Sequence, residues 1–111
     1  NSYKVGDFII ISEIIKGTEI KVVRNLSDEI RNKEIYSLCL LFCEIDKKNV
    51  LFVSCASKLI EKNIFANDLA KKIIDFAGGK GGGKKESAQI GGIDFSKVND
   101  IKLFVEKLVR I

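Results

Sequence analysis

The sequence predicts an α/β fold, a mixed β-sheet with helices packed on it, in the order β-α-β-β-α-β-α. Three observations carry that expectation. Residues 36–45 (YSLCLLFCEI) and 50–55 (VLFVSC) are apolar on both alternating faces, as an interior strand covered on both sides requires. Residues 18–33, 66–77 and 96–110 instead space their apolar positions by three and four, the period of an amphipathic helix. With 111 residues, 46% hydrophobic and 31% charged, the chain has the apolar content for one core and the length of one domain. Residues 1–111 are therefore read as a single domain.

In chain order, the run FIII at residues 8–11, continued by Ser12, Glu13, Ile14 and Ile15, is β-branched and reads as the first strand. Ile20, Val23, Leu26 and Ile30 mark the following helix, with Thr18 placed to cap it. The two apolar strands come next, joined by the polar, turn-forming DKKN into a hairpin at the centre of the sheet. Ser57 is placed to cap a short helical turn. Leu69, Ala70, Ile73, Ile74 and Ala77 then share one face of a helix that Gly78 ends. The glycines after it read as a loop and residues 88–90 as a short strand. Ser96 caps a last helix bearing Val98, Ile101, Val105 and Leu108 at core spacing.

Several function classes are excluded or disfavoured. The chain has no histidine, which removes a histidine-based triad, a Cys/His zinc site and a histidine general base. Cys39, Cys43 and Cys55 are odd in number, lie in apolar segments and form no Cys-x-x-Cys pair; they read as buried small hydrophobes of a reducing compartment. The longest apolar run, residues 38–43, falls far short of the roughly 20 residues that span a bilayer, and the polar start NSYKVGDF is no signal peptide. The expectation is a cytoplasmic protein with no membrane partner, no catalytic residue, no metal ligand and no cofactor of its own.

Residues 78–85 read GGKGGGKK and hold five of the nine glycines. Around them, Lys71, Lys72, Lys80, Lys84 and Lys85 stand against Asp75 alone, a net charge of +4 that equals the excess of the whole chain. Such a concentration is expected where a surface meets an anion, or on a merely solvated face. Residues 78–84 match the spacing G-x-x-x-x-G-K of a phosphate-binding loop, yet Lys85 stands where a Ser or Thr should reach magnesium. The run also leaves a helix and enters a strand, the reverse of that motif, so no helix N-terminus follows it. A physical reading remains: the main-chain N–H groups of Gly78, Gly79, Gly81, Gly82 and Gly83 approach a phosphate unobstructed by Cβ atoms, with Lys80, Lys84 and Lys85 adding charge. RNA suits it, because phosphate contacts supply affinity without sequence readout. The alternative is a flexible surface loop.

The stretch IFANDLAKKIIDFAGGKGGGKKESAQIGG, residues 64–92, resembles the C-terminal globular domain of alanyl-tRNA synthetases. That family carries a segment like Ala-Gly-x-Leu-(Ile/Val)-Lys, a helix, a glycine-rich run, a basic residue and Ala-Gln-x-Gly-Gly before a final helix. Here the matching residues are Ala66-Asn67-Asp68-Leu69-Ala70-Lys71, residues 78–83, Lys84, and Ala88-Gln89-Ile90-Gly91-Gly92. The sequence departs from the pattern at Phe65-Ala66-Asn67, where many synthetases have His-Ala-Gly, and at Lys85, which replaces a frequent Pro. The same domain type forms the substrate-binding C-terminal part of DHH-type phosphoesterases. There the glycine run leads into a histidine, so the synthetase version is the better match.

The resemblance implies an accessory domain that binds alanine-specific tRNA at its elbow and helps join the aminoacylation and editing centres. ATP, metal and catalysis then belong to other domains of an alanine-tRNA ligase, from which this chain, starting at Asn1 without an initiating Met, is an excised part. The residues expected to contact RNA are the glycine run with Lys80, Lys84 and Lys85, widened by Lys71 and Lys72. Gln89 either bonds RNA or supports the loop. Gly91 and Gly92 read as structural, and Phe65 and Phe76 as core rather than base-stacking. Two other roles stay open: single-stranded nucleic-acid binding as part of a phosphoesterase, and homodimerisation through an interface near Tyr3, Val5 and Phe8.

Overall fold

One six-stranded mixed sheet organises the chain, and the computed structural model describes residues 1–110 of it. The elements in order are β1 (Ser2–Val5), β2 (Phe8–Thr18), α1 (Ile20–Lys33), β3 (Ser37–Ile45), β4 (Lys48–Cys55), α2 (Ser57–Glu61), α3 (Ala66–Ala77), β5 (Lys80–Gly83), β6 (Ser87–Gly91), a 3₁₀ turn (Phe95–Lys97) and α4 (Val98–Val109). The sheet order is β1-β2-β3-β4-β6-β5. Only β2 and β3 pair in parallel, across the α1 crossover; the other neighbours are antiparallel. The β3–β4 hairpin stands at the centre, as its two-faced apolar pattern predicts. None of the helices among the described residues is long and apolar enough to cross a membrane.

Each sheet face has its own core. Leu38, Leu40, Phe42, Leu51, Val53 and Ile90 pack against α3 and α4, whereas Cys39, Leu41, Cys43 and Phe52 pack against Val23, Leu26 and Ile30 of α1. Burial pushes the thiols of Cys39 and Cys55 up to about 12 and that of Cys43 up to about 11.

The structure adds two strands to the expected order. β1 returns along β2 through a turn at Gly6 and Asp7, with Gly6 at φ 61, and it buries Val5 and Phe8 in the monomer's own core with Tyr3 packed against them. Those residues therefore belong to the monomer's own sheet and core. The glycine run is not a loop either: Lys80–Gly83 is an edge strand paired with β6. Glycine's poor strand propensity hides it in the sequence.

The caps differ as well. Thr18 ends β2, paired with Ile45, and Glu19 begins α1 without a side-chain cap. Ser57 is the first residue of α2 behind Ala56, which supplies no cap either. Ser96 does not cap: its N–H donates to Asp94 Oδ1 at 2.9 Å, and that bond lowers the Asp94 pKa.

The glycines of β5 are not equivalent. A Cβ at Gly81, where φ is +157°, would run into the Gln89 carbonyl, whereas one at Gly82 meets nothing within 4 Å. Gly81→Ala should lower stability by about 1–3 kcal/mol, and Gly82→Ala should leave it unchanged or raise it by up to about 1 kcal/mol. Urea unfolding of the two variants against the parent checks both. The three thiols should resist iodoacetamide at pH 8 in the native protein and all react once it is unfolded, which mass spectrometry counts directly.

Candidate nucleic-acid interface

Helix α1 covers β3 and β4 on its face of the sheet and stops short of β6 and β5. A groove of ≈ 430 Å³ fills the uncovered corner, between the flank of α1 and the β5–β6 hairpin. The helix builds its wall by spacing. Val23, Leu26 and Ile30 form the buried stripe, so the stripe one residue on, Arg24, Ser27, Asp28 and Arg31, lies along its edge and faces the groove. Phe52 of β4 lies at the base.

The hairpin supplies the opposite wall by strand alternation. Ala88 and Ile90 of β6 enter the core under α3 and α4, which turns Ser87, Gln89 and Gly91 to the other face. Gly82 pairs directly with Gln89 and so shares its face; Gly81 and Gly83 pair with Ile90 and Ala88 and share theirs. A side chain at position 82 would therefore project on the groove side, and the glycine keeps that space open.

Hydrogen bonds fix the polar groups. Arg31 donates to Asp28 Oδ1 at 2.8 Å and to Ser54 Oγ at 3.3 Å, and its side chain is only 19% exposed. Arg24 Nη2 donates to Gln89 Oε1 at 3.4 Å across the groove. That bond uses the acceptor of the Gln89 amide and leaves its two N–H donors available. The lining carries Arg24, Arg31 and Lys84 against Asp28 and Glu86. It is rich in donors and slightly cationic, which fits a ligand of acceptors such as phosphate oxygens.

The sequence-predicted residues separate into groups. Gly82, Gly83, Lys84 and Gln89 line the groove. Gly78 and Gly79 form the positive-φ return from α3 into β5, and Lys80 is exposed at the start of β5 opposite Gly91. Lys85 lies over the Phe65 ring, 4.8 Å from its centroid. Lys71 and Lys72 are exposed on α3, the helix on the opposite side of the sheet from α1. Phe65 is half-buried, but Phe76 is 49% exposed and stacks on Phe104 with centroids 4.3 Å apart, so it is a surface residue and not a core one. Gly91 and Gly92 stay structural, the latter at φ +76° with its N–H on Asn49 O.

A helix N-terminus does adjoin the basic turn, although no helix follows the run in sequence. The carbonyls of Lys85 and Lys84 accept the N–H groups of Ala66 and Asn67 at 2.7 and 3.1 Å, and Asn67 Oδ1 takes that of Asp68 at 3.0 Å. These donors of α3 are used internally, so the anion-binding role of a helix start is closed here. Sequence reading missed Arg24 and Arg31, two of the chain's three arginines. Their seven-residue spacing beside the apolar stripe was the available signal.

A six-stranded sheet with a glycine hairpin that closes the start of α3 stands beside a sequence match that gives the class: the chain belongs to the DHHA1 domain family, which it matches over residues 6–110. Its sequence relatives are alanine-tRNA ligases. That of Natranaerobius thermophilus is 32% identical over 110 residues, covering 98% of this chain and 12% of the ligase. That of Caldicellulosiruptor saccharolyticus is 26% identical over 97% of this chain and 12% of its own length. This chain thus spans about an eighth of the relatives it matches. The C-Ala domain of Aquifex aeolicus alanyl-tRNA synthetase has the same fold, with a TM-score of 0.88 at 20% identity over 100% of this chain and 99% of that one. A DHH domain described as a member of the s1p family of ribosomal proteins has a TM-score of 0.66 at 17% identity, over 99% of this chain and 27% of its own. The family resemblance read from residues 64–92 is correct.

The two arginines should differ in structural weight. Arg24→Ala removes one long, exposed hydrogen bond and should change stability by less than about 0.5 kcal/mol. Arg31→Ala removes a mostly buried stem and two bonds and should cost about 1–2 kcal/mol. Thermal unfolding of each variant checks the order.

Proposed function

We propose that this domain is the tRNA-binding accessory domain of an alanine-tRNA ligase. In this reading it grips the elbow of alanine-specific tRNA so that aminoacylation and editing act on one bound molecule, and it catalyses neither. The ligase, a cytoplasmic enzyme in this reading, supplies ATP binding, metal and chemistry from its other domains. The observation that carries the proposal is the groove, where Gly82, Gly83, Lys84 and Gln89 of the family's glycine-rich signature meet Arg24 and Arg31 of α1. Phosphate and sugar oxygens of a structured RNA fit such a donor surface, and recognition of this kind reads shape more than sequence. Lys80 and Lys85 flank the groove, while Lys71 and Lys72 extend the positive field around the sheet edge.

A second reading is favoured by the fold shared with a DHH domain: the same groove holds single-stranded nucleic acid for a phosphoesterase. A salt series of binding to folded tRNA and to single-stranded RNA of equal length separates the two. Preference for tRNA is expected. The Lys80/Lys84/Lys85→Ala variant should bind more weakly, with a salt slope shallower by about one for each phosphate that it no longer neutralises. Gly82→Ala should keep its fold and weaken binding by about tenfold, the equivalent of one good hydrogen bond to the RNA. Preference for the single strand would assign the phosphoesterase reading. Binding of neither RNA would leave self-association as the role, which light scattering would then detect.

A further inference from the structure

Arg31 and Glu86 line not one cavity but two. On their other side lies a second cavity of ≈ 460 Å³, between the end of α1 and α2. We infer that this second cavity takes an unstacked nucleobase of the bound RNA, beside a phosphate held in the first; the inference rests on the RNA-binding reading above.

The chemistry changes at Arg31. The first cavity sets three cations, Arg24, Arg31 and Lys84, against Asp28 and Glu86. The second has only Arg31, against Glu61 and Glu86, and its apolar walls are Ile35 and Ile60. Two carboxylates and one guanidinium repel a phosphate and accept a neutral ring whose exocyclic amino groups donate. Ile35 is a large apolar side chain left 42% exposed beside this opening, a surface on which a base loses water. Structured RNA offers such bases in loops and at corners.

The cavity is already shaped. The Ile35 carbonyl accepts the Lys58 N–H at 3.0 Å, which ties the end of α1 to the start of α2, and the Cys55 N–H donates to Glu86 O at 2.9 Å, which fixes the rim. Arg31 is held by Asp28 and Ser54 at the junction. A planar guanidinium so held serves both sides, as donor to a phosphate and as stacking surface for a base. Glu61 is tied only by Lys58 at 3.5 Å on the surface, a pair easily exchanged for a base amino group.

The test uses the whole chain with folded tRNA. Ile35→Ser should weaken binding by about tenfold at every salt concentration, with the slope unchanged, because a base contact releases no counterions. Leu103→Ser, at a still more exposed apolar site on α4, should bind as the parent does. The parent should also prefer oligocytidylate to oligouridylate, which lacks the amino group, and Glu61→Gln/Glu86→Gln should erase that ratio whatever it does to overall affinity. An Ile35→Ser variant that binds like the parent, or a cytidylate-to-uridylate ratio of one in the parent, overturns the inference while leaving RNA binding intact. A parent that binds no RNA overturns the function on which it rests.

Discussion

The attachment of the β5–β6 hairpin to α3 is the constraint from which the rest of the surface follows. At one end Gly78 and Gly79, both at positive φ, turn the chain from the helix straight into the strand. At the other, the carbonyls of Lys84 and Lys85 accept the first N–H groups of the same helix. Helix and hairpin are therefore closed on each other at both ends, with Ala88 and Ile90 packed between them and the other strands. The glycines are the condition for that closure: a Cβ at Gly79 would come within 2.8 Å of both Gly91 O and Ile90 Cγ2. One face of the hairpin is thereby committed to the core, and the other is left bare.

A bare strand face becomes a site only if something stands opposite it. Helix α1 does, because its apolar stripe seats it over β3 and β4 and no further. Seated there, it leaves its polar flank overlooking Gly82 and Gln89, and the Arg24–Gln89 bond spans the gap between the two walls. The groove is thus a consequence of incomplete coverage: a sheet of six strands with a single helix on this face cannot be covered across its width. A longer side chain at position 82 would fill the space that this arrangement leaves.

What the sequence reveals, and what it hides, follows from where the signals lie. The β3–β4 hairpin, the three long helices and the Ala-Gln-x-Gly-Gly stretch are legible because each has its own local period or motif. The strand Lys80–Gly83 is not, since its stability comes from pairing with β6 and packing beside α3, neither of which leaves a mark in a run of glycines. β1 is hidden by its length of four residues. Thr18, Ser57 and Ser96 are all good cap residues by type, yet at Thr18 pairing with β3 takes precedence, Ser57 is already inside α2, and at Ser96 the neighbouring Asp94 does the capping. Arg24 and Arg31 lie far along the chain from the glycine strand they face, so only the tertiary structure joins them.

That separation also divides the electrostatic work. The lysines that dominate the charge count of residues 71–85 are spread around the sheet edge, on α3, on β5 and in the turn beyond it. Exposed ammonium groups on flexible stems act over a Debye length and attract an anion without fixing its pose. The arginines are the reverse. Each is tethered to a named partner, Arg31 to Asp28 and Ser54, Arg24 to Gln89, and each keeps N–H donors beyond those it has used. The lysines thus make a field centred on the glycine hairpin, and the arginines make fixed donors on the opposite wall. Charge density in the sequence points to the lysine field, and only the fold places the two arginines across from it.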